Sequence, residues 1–343
     1  MIRPSPEITC AALAVLAGAL TFLPARRPEV VPASGARPAA RVGLVFDVGG
    51  RGDKSFNDAA YAGLLRAERE LGIGASFLEP TGSEDREAAM RLFAARGVDL
   101  VIAVGFIFTS DVDAVARDYP SVHFACVDYA PGPDPMPPNV EGLAFREEEG
   151  SFLVGAVAGL VSKSHHVGFV GGMTIPLIRK FEAGYGAGVA AACPGCVVHS
   201  TYAGSTPDAF KDPAKGKGLA ISEIAAGADV VFHAAGATGH GVFEAAHDAH
   251  VWAIGVDSDQ YEEMPDTVLT SMVKRADVAV FEAIREVASG RFSPGMHVFG
   301  LREDGIDYVH EGTHGAHVPD EVKAKVAELR AAVVDGRIHV PSE

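Results

Sequence analysis

From Arg41 onward, short apolar runs alternate with segments whose apolar residues recur at helical spacing. Residues 42–46 form such a run, and the next segment repeats apolar residues every three or four positions, at Phe56, Ala60, Leu64, Ala67 and Leu71. We predict further strands at 75–78, 100–104, 122–128, 167–170, 197–202, 230–233, 251–256, 267–273 and 296–301. Helices are predicted at 84–96, 111–119, 147–161, 176–192, 213–226, 241–249, 277–289 and 321–335. Strict alternation predicts parallel sheets with helices on both faces, which is the α/β class.

A proline-rich loop at 131–138 interrupts this alternation. Strand–helix units of similar number lie on either side of it, so we predict two lobes, with the chain crossing between them more than once. Residues 41–145 and about 274–300 are assigned to the first lobe, and residues 146–273 and about 301–343 to the second. Ligands of such sheets bind beyond the carboxyl ends of the strands, so these ends are where a site is expected.

Residues 1–40 have a different composition from the rest. An uncharged apolar run at 8–23 follows Arg3 and precedes Arg26 and Arg27. It is shorter than a comfortable membrane span and is typical of the apolar part of a secretory signal, while the Pro/Ala/Arg-rich stretch after it indicates a linker. We predict export to a periplasmic or cell-surface location, with the segment either cleaved or kept as an N-terminal anchor. Cys10 lies at the front of the apolar run, whereas a lipoprotein signal places its cysteine after it.

Charge and motif spacing exclude several classes of function. The chain has 45 acidic and 29 basic residues and a net charge of −16, so a nucleic-acid partner is not expected. Residues 49–55 (GGRGDKS) lack the spacing of a phosphate-binding loop, because Asp53 interrupts it. We find no nucleophile elbow, zinc-protease motif or Ser/His/Asp set in the sequence, so we expect neither an enzyme nor a cofactor.

Two short motifs permit redox or metal chemistry, but each has a plainer explanation. Cys193 and Cys196 have redox-motif spacing, yet they follow a predicted helix, whereas reactive thiols lie at helix N termini. We predict a turn that holds either a disulfide or two free thiols. His240, Glu244 and His247 share one helix face, which is either a zinc site or a solvated surface.

Polar and aromatic side chains collect near the predicted strand ends. They are three carboxylates, two aromatic rings, one amide and one ammonium, namely Asp47, Asp128, Asp257, Phe56, Phe210, Asn57 and Lys274. This set suits a flat ligand with N–H and O–H groups, such as a nucleoside. From position alone, the alternative is that the phenylalanines belong to the core and the aspartates cap turns.

Five of these residues, Asp47, Phe56, Asn57, Asp257 and Lys274, lie in segments that resemble the basic membrane protein family of ABC-transporter substrate-binding proteins, including purine nucleoside receptor A-like members. The resembling segments are VGLVFDVGG (42–50), DKSFN (53–57), NVEGLAFREEEGSF (139–152), VGFVGGM (167–173), FEAG (181–184), DPAKG (212–216), GATGHGVF (236–243), IGVD (254–257) and SMVKR (271–275). They occur in order, and the resemblance covers residues 41–309.

The resemblance implies a type I periplasmic-binding-protein fold, with two parallel α/β lobes and a ligand cleft between them. It also implies a binding protein that delivers purine nucleosides to the permease and ATPase of an importer, without turnover. The alternatives are a binding protein for another flat ligand, such as riboflavin, or a ligand sensor of the same fold without a transporter.

The resemblance also implies roles for single residues at the base of the nucleoside. Phe56 and Phe210 would stack on the two faces of the purine. Asn57 and Asp128 would hydrogen-bond to its edge. Stacking of this kind contributes about 1–3 kcal/mol per base in nucleic-acid platforms.

For the ribose, the resemblance implies that Asp257 and Lys274 would hold the hydroxyls. A carboxylate can accept hydrogen bonds from both hydroxyls of a vicinal diol. Gly236 would allow the backbone to approach the ligand closely, and Asp47 would line the cleft.

Overall fold

The computed structural model describes residues 38–80 and 83–343 of the chain. The predicted export segment lies almost wholly outside these residues, because residues 1–37 are not described. Within the described ranges, no helix is both long enough and apolar enough to cross a membrane. The same ranges contain the nine helices α1 (Phe56–Leu71), α2 (Ser83–Ala95), α3 (Thr109–Asp118), α4 (Glu147–Val161), α5 (Pro176–Ala192), α6 (Pro213–Ala225), α7 (Gly239–Ala249), α8 (Ala276–Ala288) and α9 (Asp320–Val334).

The first of two sheets is built mainly from the amino-terminal half. Its strands are β1 (Arg41–Val45), β2 (Gly74–Leu78), β3 (Leu100–Val104), β4 (His123–Val127), β5 (Val140–Phe145) and β11 (Gly295–Phe299). They pair in the order β11-β5-β4-β3-β1-β2, and every pair is parallel. β3 is wholly buried, because Leu100, Ile102 and Val104 join the core cluster that includes α1 and α8, while Val101 and Ala103 join that of α2 and α3. Burial on both faces explains its uninterrupted apolar sequence.

The second sheet follows the same plan. Its strands are β6 (His166–Met173), β7 (Val197–Gly204), β8 (Val230–Ala234), β9 (Trp252–Asp257), β10 (Val268–Lys274) and β12 (Ile306–Tyr308). They pair in the order β12-β10-β9-β8-β6-β7. The α/β prediction, with two mostly parallel sheets, is confirmed.

Two strands of the described chain differ from the sequence prediction. The pattern does not predict β5, because Glu141 and Gly142 interrupt its apolar run, although Glu141 is buried. β12 runs antiparallel to β10, which corrects the expectation of wholly parallel sheets. Its first residue, Ile306, pairs with Lys274, the last residue of β10. Because the chain enters this edge of the sheet beside the carboxyl end of β10, β12 can only run antiparallel to β10.

The described chain passes between the two sheets three times. It leaves the first sheet between β5 and α4, returns between β10 and α8, and leaves again between β11 and β12. All three crossings lie at the carboxyl ends of strands. The carboxyl ends of the two sheets are therefore held opposite each other.

Candidate functional site

A cavity lies between the carboxyl ends of the two sheets. Its volume is about 60 Å³, counted as the space open to the centre of a water molecule. All eight residues that sequence analysis singled out line this cavity, namely Asp47, Phe56, Asn57, Asp128, Phe210, Gly236, Asp257 and Lys274. Apolar side chains that were not predicted complete the wall, namely Phe106, Leu177, Ile178, Phe181 and Val256. The structure therefore brings together, in one place, residues that lie up to 227 positions apart (274 − 47) in the sequence.

Asp128 and Asp257 occupy equivalent positions in the two sheets. Asp128 directly follows β4 and Asp257 ends β9, and each strand is third from the edge formed by β11 or β12. Both residues adopt the left-handed backbone conformation, with φ of 61° and 65°. Aspartate tolerates this conformation better than most residues, because its short side chain can hydrogen-bond locally. The two lobes thus present one carboxylate each from matching points.

Lys274 is the buried cation of the cavity. Its ammonium donates to Asp128 Oδ2 at 2.7 Å and to Glu147 Oε1 at 3.4 Å. It also lies 4.8 Å from the ring centre of Phe56 and 5.2 Å from that of Phe145. Only 2% of the lysine is exposed, so these carboxylates and ring faces replace the water that an ammonium would otherwise keep. The other Asp128 oxygen, Oδ1, is buried without a hydrogen-bond partner among the described residues.

Asp257 is joined to the opposite lobe through Ser55. The Ser55 hydroxyl donates to Asp257 Oδ2 at 2.7 Å and approaches the Val256 carbonyl at 3.2 Å. In return, the Ser258 hydroxyl donates to the Ser55 carbonyl at 3.0 Å, and Gln260 Nε2 donates to the Lys54 carbonyl at 3.1 Å. The start of α1 is therefore hydrogen-bonded to the turn after β9. We call this set of contacts, made by residues 54–55 and 256–260, the latch.

Asp53 organises the start of α1, where Phe56 and Asn57 project into the cavity. Its carboxylate accepts from the backbone N–H groups of Ser55, Asn57 and Asp58 and from the Asn57 side-chain amide. These bonds satisfy amide groups that a helix N terminus leaves unpaired. Asn57 Oδ1 in turn accepts from the Asp47 backbone N–H at 3.0 Å. The aspartate that rules out a phosphate loop is thus a structural cap.

Phe210 lies against two glycines, Gly172 in β6 and Gly236 in the turn after β8. A Cβ on Gly172 would lie 2.2 Å from the Phe210 ring, so only glycine leaves room for it there. Gly236 has φ of 55°, and a Cβ on it would lie 3.3 Å from the Phe210 carbonyl. Gly236 therefore lets the turn after β8 pass close to Phe210 at the cavity wall.

Burial governs the electrostatics of the cavity. It raises the pKa of Asp47 from 3.8 to about 7, against the hydrogen bond from the Val48 backbone. It also raises the pKa values of Asp128 and Asp257, against the opposing effect of Lys274. Burial disfavours the charge on Lys274 too, but Asp128, Glu147 and Asp257 together raise its pKa above the ordinary value. The ammonium therefore stays charged.

Two residues that contact the site, Glu147 and Ser55, were not predicted to belong to it from the sequence. The sequence pattern indicates that the run Glu147–Glu149 is a set of acidic residues at a helix N terminus. For Glu147 that interpretation is incomplete, because this side chain is 1% exposed and contacts Lys274 and Lys180. Ser55 marks only a departure from a nucleotide-binding pattern. A buried ion pair also needs hydrogen bonds to the groups that its partner leaves free, but no local sequence pattern shows that Glu147 supplies one to Lys274.

The remaining motifs lie away from the cavity. Cys193 and Cys196 form a disulfide in the turn between α5 and β7, with His165 beside them. These three residues are the one group with metal-ligand spacing found among the described residues. His240, Glu244 and His247 have separate partners instead, which are Glu263, Lys217 and Thr267. Cys126 is free and buried.

Comparison with known proteins identifies the family. The family model Bmp, described as ABC transporter substrate-binding protein PnrA-like, matches residues 40–343. The chain belongs to the Bmp family. This confirms the resemblance drawn from the sequence, and with it the description as an ABC-transporter substrate-binding protein, a class of proteins that is not enzymatic.

Individual relatives of this Bmp-family chain cover nearly all of it. It is 31% identical over 359 aligned positions to the ABC transporter nucleoside-binding protein BmpA of Lactococcus lactis, covering 98% of this chain and 97% of that one. It is 35% identical to the CD4+ T-cell-stimulating antigen of Listeria monocytogenes, covering 88% of each. A crystal structure of ABC transporter solute-binding proteins from Aeropyrum pernix matches with a TM-score of 0.80 at 30% identity, over 89% of this chain and 94% of that one.

Proposed function

We propose that this Bmp-family protein binds purine nucleosides outside the cytoplasm and delivers them to the permease and ATPase of an importer. The observation that most directly supports this ligand class is the hydrogen bonding of the Asp128 carboxylate. One of its oxygens is paired with Lys274, and the other is buried at the cavity without a partner among the described residues. A buried acceptor of this kind costs free energy until a donor reaches it.

The charge of the cavity favours a nucleoside over a nucleotide. Four carboxyl groups line the cavity, namely those of Asp47, Asp53, Asp128 and Asp257. Lys274 contributes one ammonium group to the same lining. Such a wall attracts N–H and O–H donors and repels a phosphate group. A nucleoside offers donors on its base and its ribose and carries no charge at neutral pH.

The aromatic residues supply the remaining part of the recognition. Phe56 and Phe210 line the cavity from opposite lobes, which supports the proposal that they stack on the base. Asn57 and Asp128 are then proposed to bind the base edge. Asp257 and Lys274 are proposed to bind the ribose, Gly236 admits the ligand close to the backbone, and Asp47 completes the wall. The nucleoside-binding name of the Lactococcus lactis relative is consistent with this ligand class.

Calorimetry tests the ligand class directly. Guanosine, inosine and adenosine are titrated into the protein beside their 5′-monophosphates and riboflavin. We expect at least one nucleoside to bind, and its monophosphate to bind at least about tenfold more weakly, because phosphate enters an acidic cavity. Tighter binding of riboflavin or of a nucleotide would overturn the proposed ligand.

The same samples test for turnover. We propose that the protein releases its ligand unchanged, and chromatography after a long incubation is expected to recover each nucleoside intact. Free base accumulating beyond the amount of protein would show catalysis instead. For the importer role, cells that lack the protein should take up labelled nucleoside more slowly, whereas unchanged uptake would favour a sensor.

A further inference from the structure

Glu147 holds Lys274 from outside the cavity. Lys274 lines the cavity, whereas Glu147 lines an adjoining groove between β5 and α5, which shares Phe106, Asp128 and Leu177 with the cavity. Its two oxygens have different partners, because Oε1 accepts from Lys274 at 3.4 Å and Oε2 from Lys180 at 3.1 Å. Lys180 also donates to the Phe145 carbonyl at 3.1 Å, at the end of β5. Glu147 therefore ties the ammonium in the cavity to a fixed point of the backbone.

Neighbouring glutamates do not share this arrangement, although they carry the same charge in the same helical turn. Glu149 Oε2 accepts from the Leu301 backbone N–H at 2.8 Å, and its Oε1 lies 3.7 Å from Arg146. Glu149 lines neither the cavity nor the groove that Glu147 lines. The helix N terminus favours a carboxylate at any of these positions, so the contact with Lys274 is what distinguishes Glu147.

We propose that Glu147 is a positioning residue for the ligand, which acts by sharing Lys274 with Asp128 and so leaves Asp128 Oδ1 open as an acceptor. An ammonium has three donor hydrogens. With Glu147 taking part of its charge, Lys274 contacts only one Asp128 oxygen. Without that partner, the ammonium would pair with both oxygens of Asp128 and compete with the ligand. The proposal rests on the proposed function and deepens it, since it names what keeps the acceptor open.

Glu147 also alters the titration of Asp128. The charged groups that face Asp128 are Lys274 from β10, Glu147 from α4, Asp257 from β9 and Asp47 after β1. The negative charge of Glu147 raises the pKa of Asp128, while Lys274 lowers it. Replacing Glu147 by glutamine removes the first effect, so Asp128 should ionise at lower pH.

The test compares Glu147→Gln with Glu149→Gln, which removes the same charge from the same helical turn. Guanosine affinity of the full-length protein is measured by calorimetry from pH 5 to pH 8. At pH 8 we expect Glu147→Gln to bind about tenfold more weakly, as for a lost hydrogen bond between charged groups. Its affinity should begin to fall at a lower pH than in the wild type. Glu149→Gln should follow the wild type in both respects.

A measurement without ligand separates this proposal from the proposed function. The Asp128 carboxyl carbon is titrated by NMR in the ligand-free wild type and in both variants, and only Glu147→Gln should move its pKa downward. If the wild type binds no nucleoside, the proposed function fails, while this titration still tests whether Glu147 controls Asp128. An unmoved pKa in folded Glu147→Gln, or an equal change in Glu149→Gln, would overturn the proposal.

A second variant covers the case in which Glu147→Gln does not fold. Lys180 is one-third exposed, so Lys180→Gln should be tolerated. It releases Glu147 Oε2 and so loosens the hold on Lys274. Guanosine should then bind severalfold more weakly, and unchanged affinity would count against the proposal.

Discussion

The Lys274 ammonium lies 2.7 Å from Asp128 Oδ2 and so joins the carboxyl end of β10 to that of β4 across the cavity. The pair connects the two sheets, and both side chains are almost fully buried. An ion pair in such a place costs desolvation on both sides, and removing one partner leaves the other uncompensated. The pair therefore marks the point where stability and recognition depend on the same atoms.

Lys274→Met should destabilise the protein by about 3–5 kcal/mol at pH 8, because Asp128 would then be buried without a cation and Glu147 would keep only Lys180. The loss should be smaller at pH 5, where Asp128 can take up a proton, because burial raises its pKa. Chemical denaturation at the two pH values measures it. Lys180→Met is the matched control, since Lys180 contacts the same Glu147 but is one-third exposed, and it should cost less than Lys274→Met. Equal losses for the two variants would contradict the prediction.

Asp257→Asn should weaken ribonucleosides more than 2′-deoxynucleosides. Asp257 Oδ2 already accepts from Ser55, so the ligand would use the remaining acceptor capacity of this carboxylate, and a deoxynucleoside would use less of it. We expect a difference of about 1–3 kcal/mol between the two losses, by calorimetry with guanosine and deoxyguanosine. Phe56→Ala should weaken both ligands equally, because stacking involves only the base. If Asp257→Asn also weakens both equally, the ribose assignment is wrong.

Ser55→Ala should impair ligand-linked closure of the two lobes. The Ser55 hydroxyl makes the central contact of the latch, and its loss leaves Asp257 Oδ2 without that donor. We expect ligand to reduce the radius of gyration in the wild type, by small-angle scattering, and to reduce it less in Ser55→Ala. Ser151→Ala is the control, since its buried hydroxyl has no partner in the described chain. A Ser55→Ala protein that contracts like the wild type would show that the latch does not drive closure.

Asp47→Asn should stabilise the ligand-free protein at high pH. Burial raises the pKa of Asp47 to about 7, so the folded state keeps a proton that the unfolded state releases above pH 4. The stability contributed by this group therefore falls as pH rises from about 4 to about 7 and stays low above it. At pH 8 we expect a gain on the order of 2–4 kcal/mol, which is smaller at pH 5 and shrinks toward zero only below about pH 4. Denaturant titrations of this variant and of Asp134→Asn, an exposed control, decide it, and a gain that does not depend on pH would contradict burial of the carboxyl as its cause.

The double variant Cys193→Ser, Cys196→Ser should retain nucleoside affinity within a few-fold. The disulfide lies at the amino end of β7, whereas the cavity lies at the carboxyl ends of the strands. The bridge closes only a short turn, so a modest fall in melting temperature is expected. Loss of binding in a variant that still melts cooperatively would give the motif a functional role.

Local sequence pattern was sufficient for most of the fold. Buried parallel strands need continuous apolar runs and the helices between them need apolar residues every three or four positions, so both can be found from short windows. The helices at 147–161 and 176–192 begin and end where predicted. β5 was not predicted because Glu141 breaks its apolar run. β12 was not predicted because a strand of three residues is too short to show a recognisable pattern. The direction of β12 depends on where the chain re-enters the second sheet, and no local pattern records that.

The sequence by itself also determined which polar and aromatic residues stand near the ends of predicted strands, and the family resemblance implied roles for eight residues. What only the tertiary structure decided is how those side chains are paired. Glu147 meets Lys274, and Ser55 meets Asp257, because three crossings of the chain hold the two sheets end to end. Residues separated by 127 and 202 positions carry no joint signal in one sequence, since their contact depends on the path of the whole chain. Burial, which sets the charge state of Asp47 and Asp128, likewise exists only once both lobes enclose the cavity.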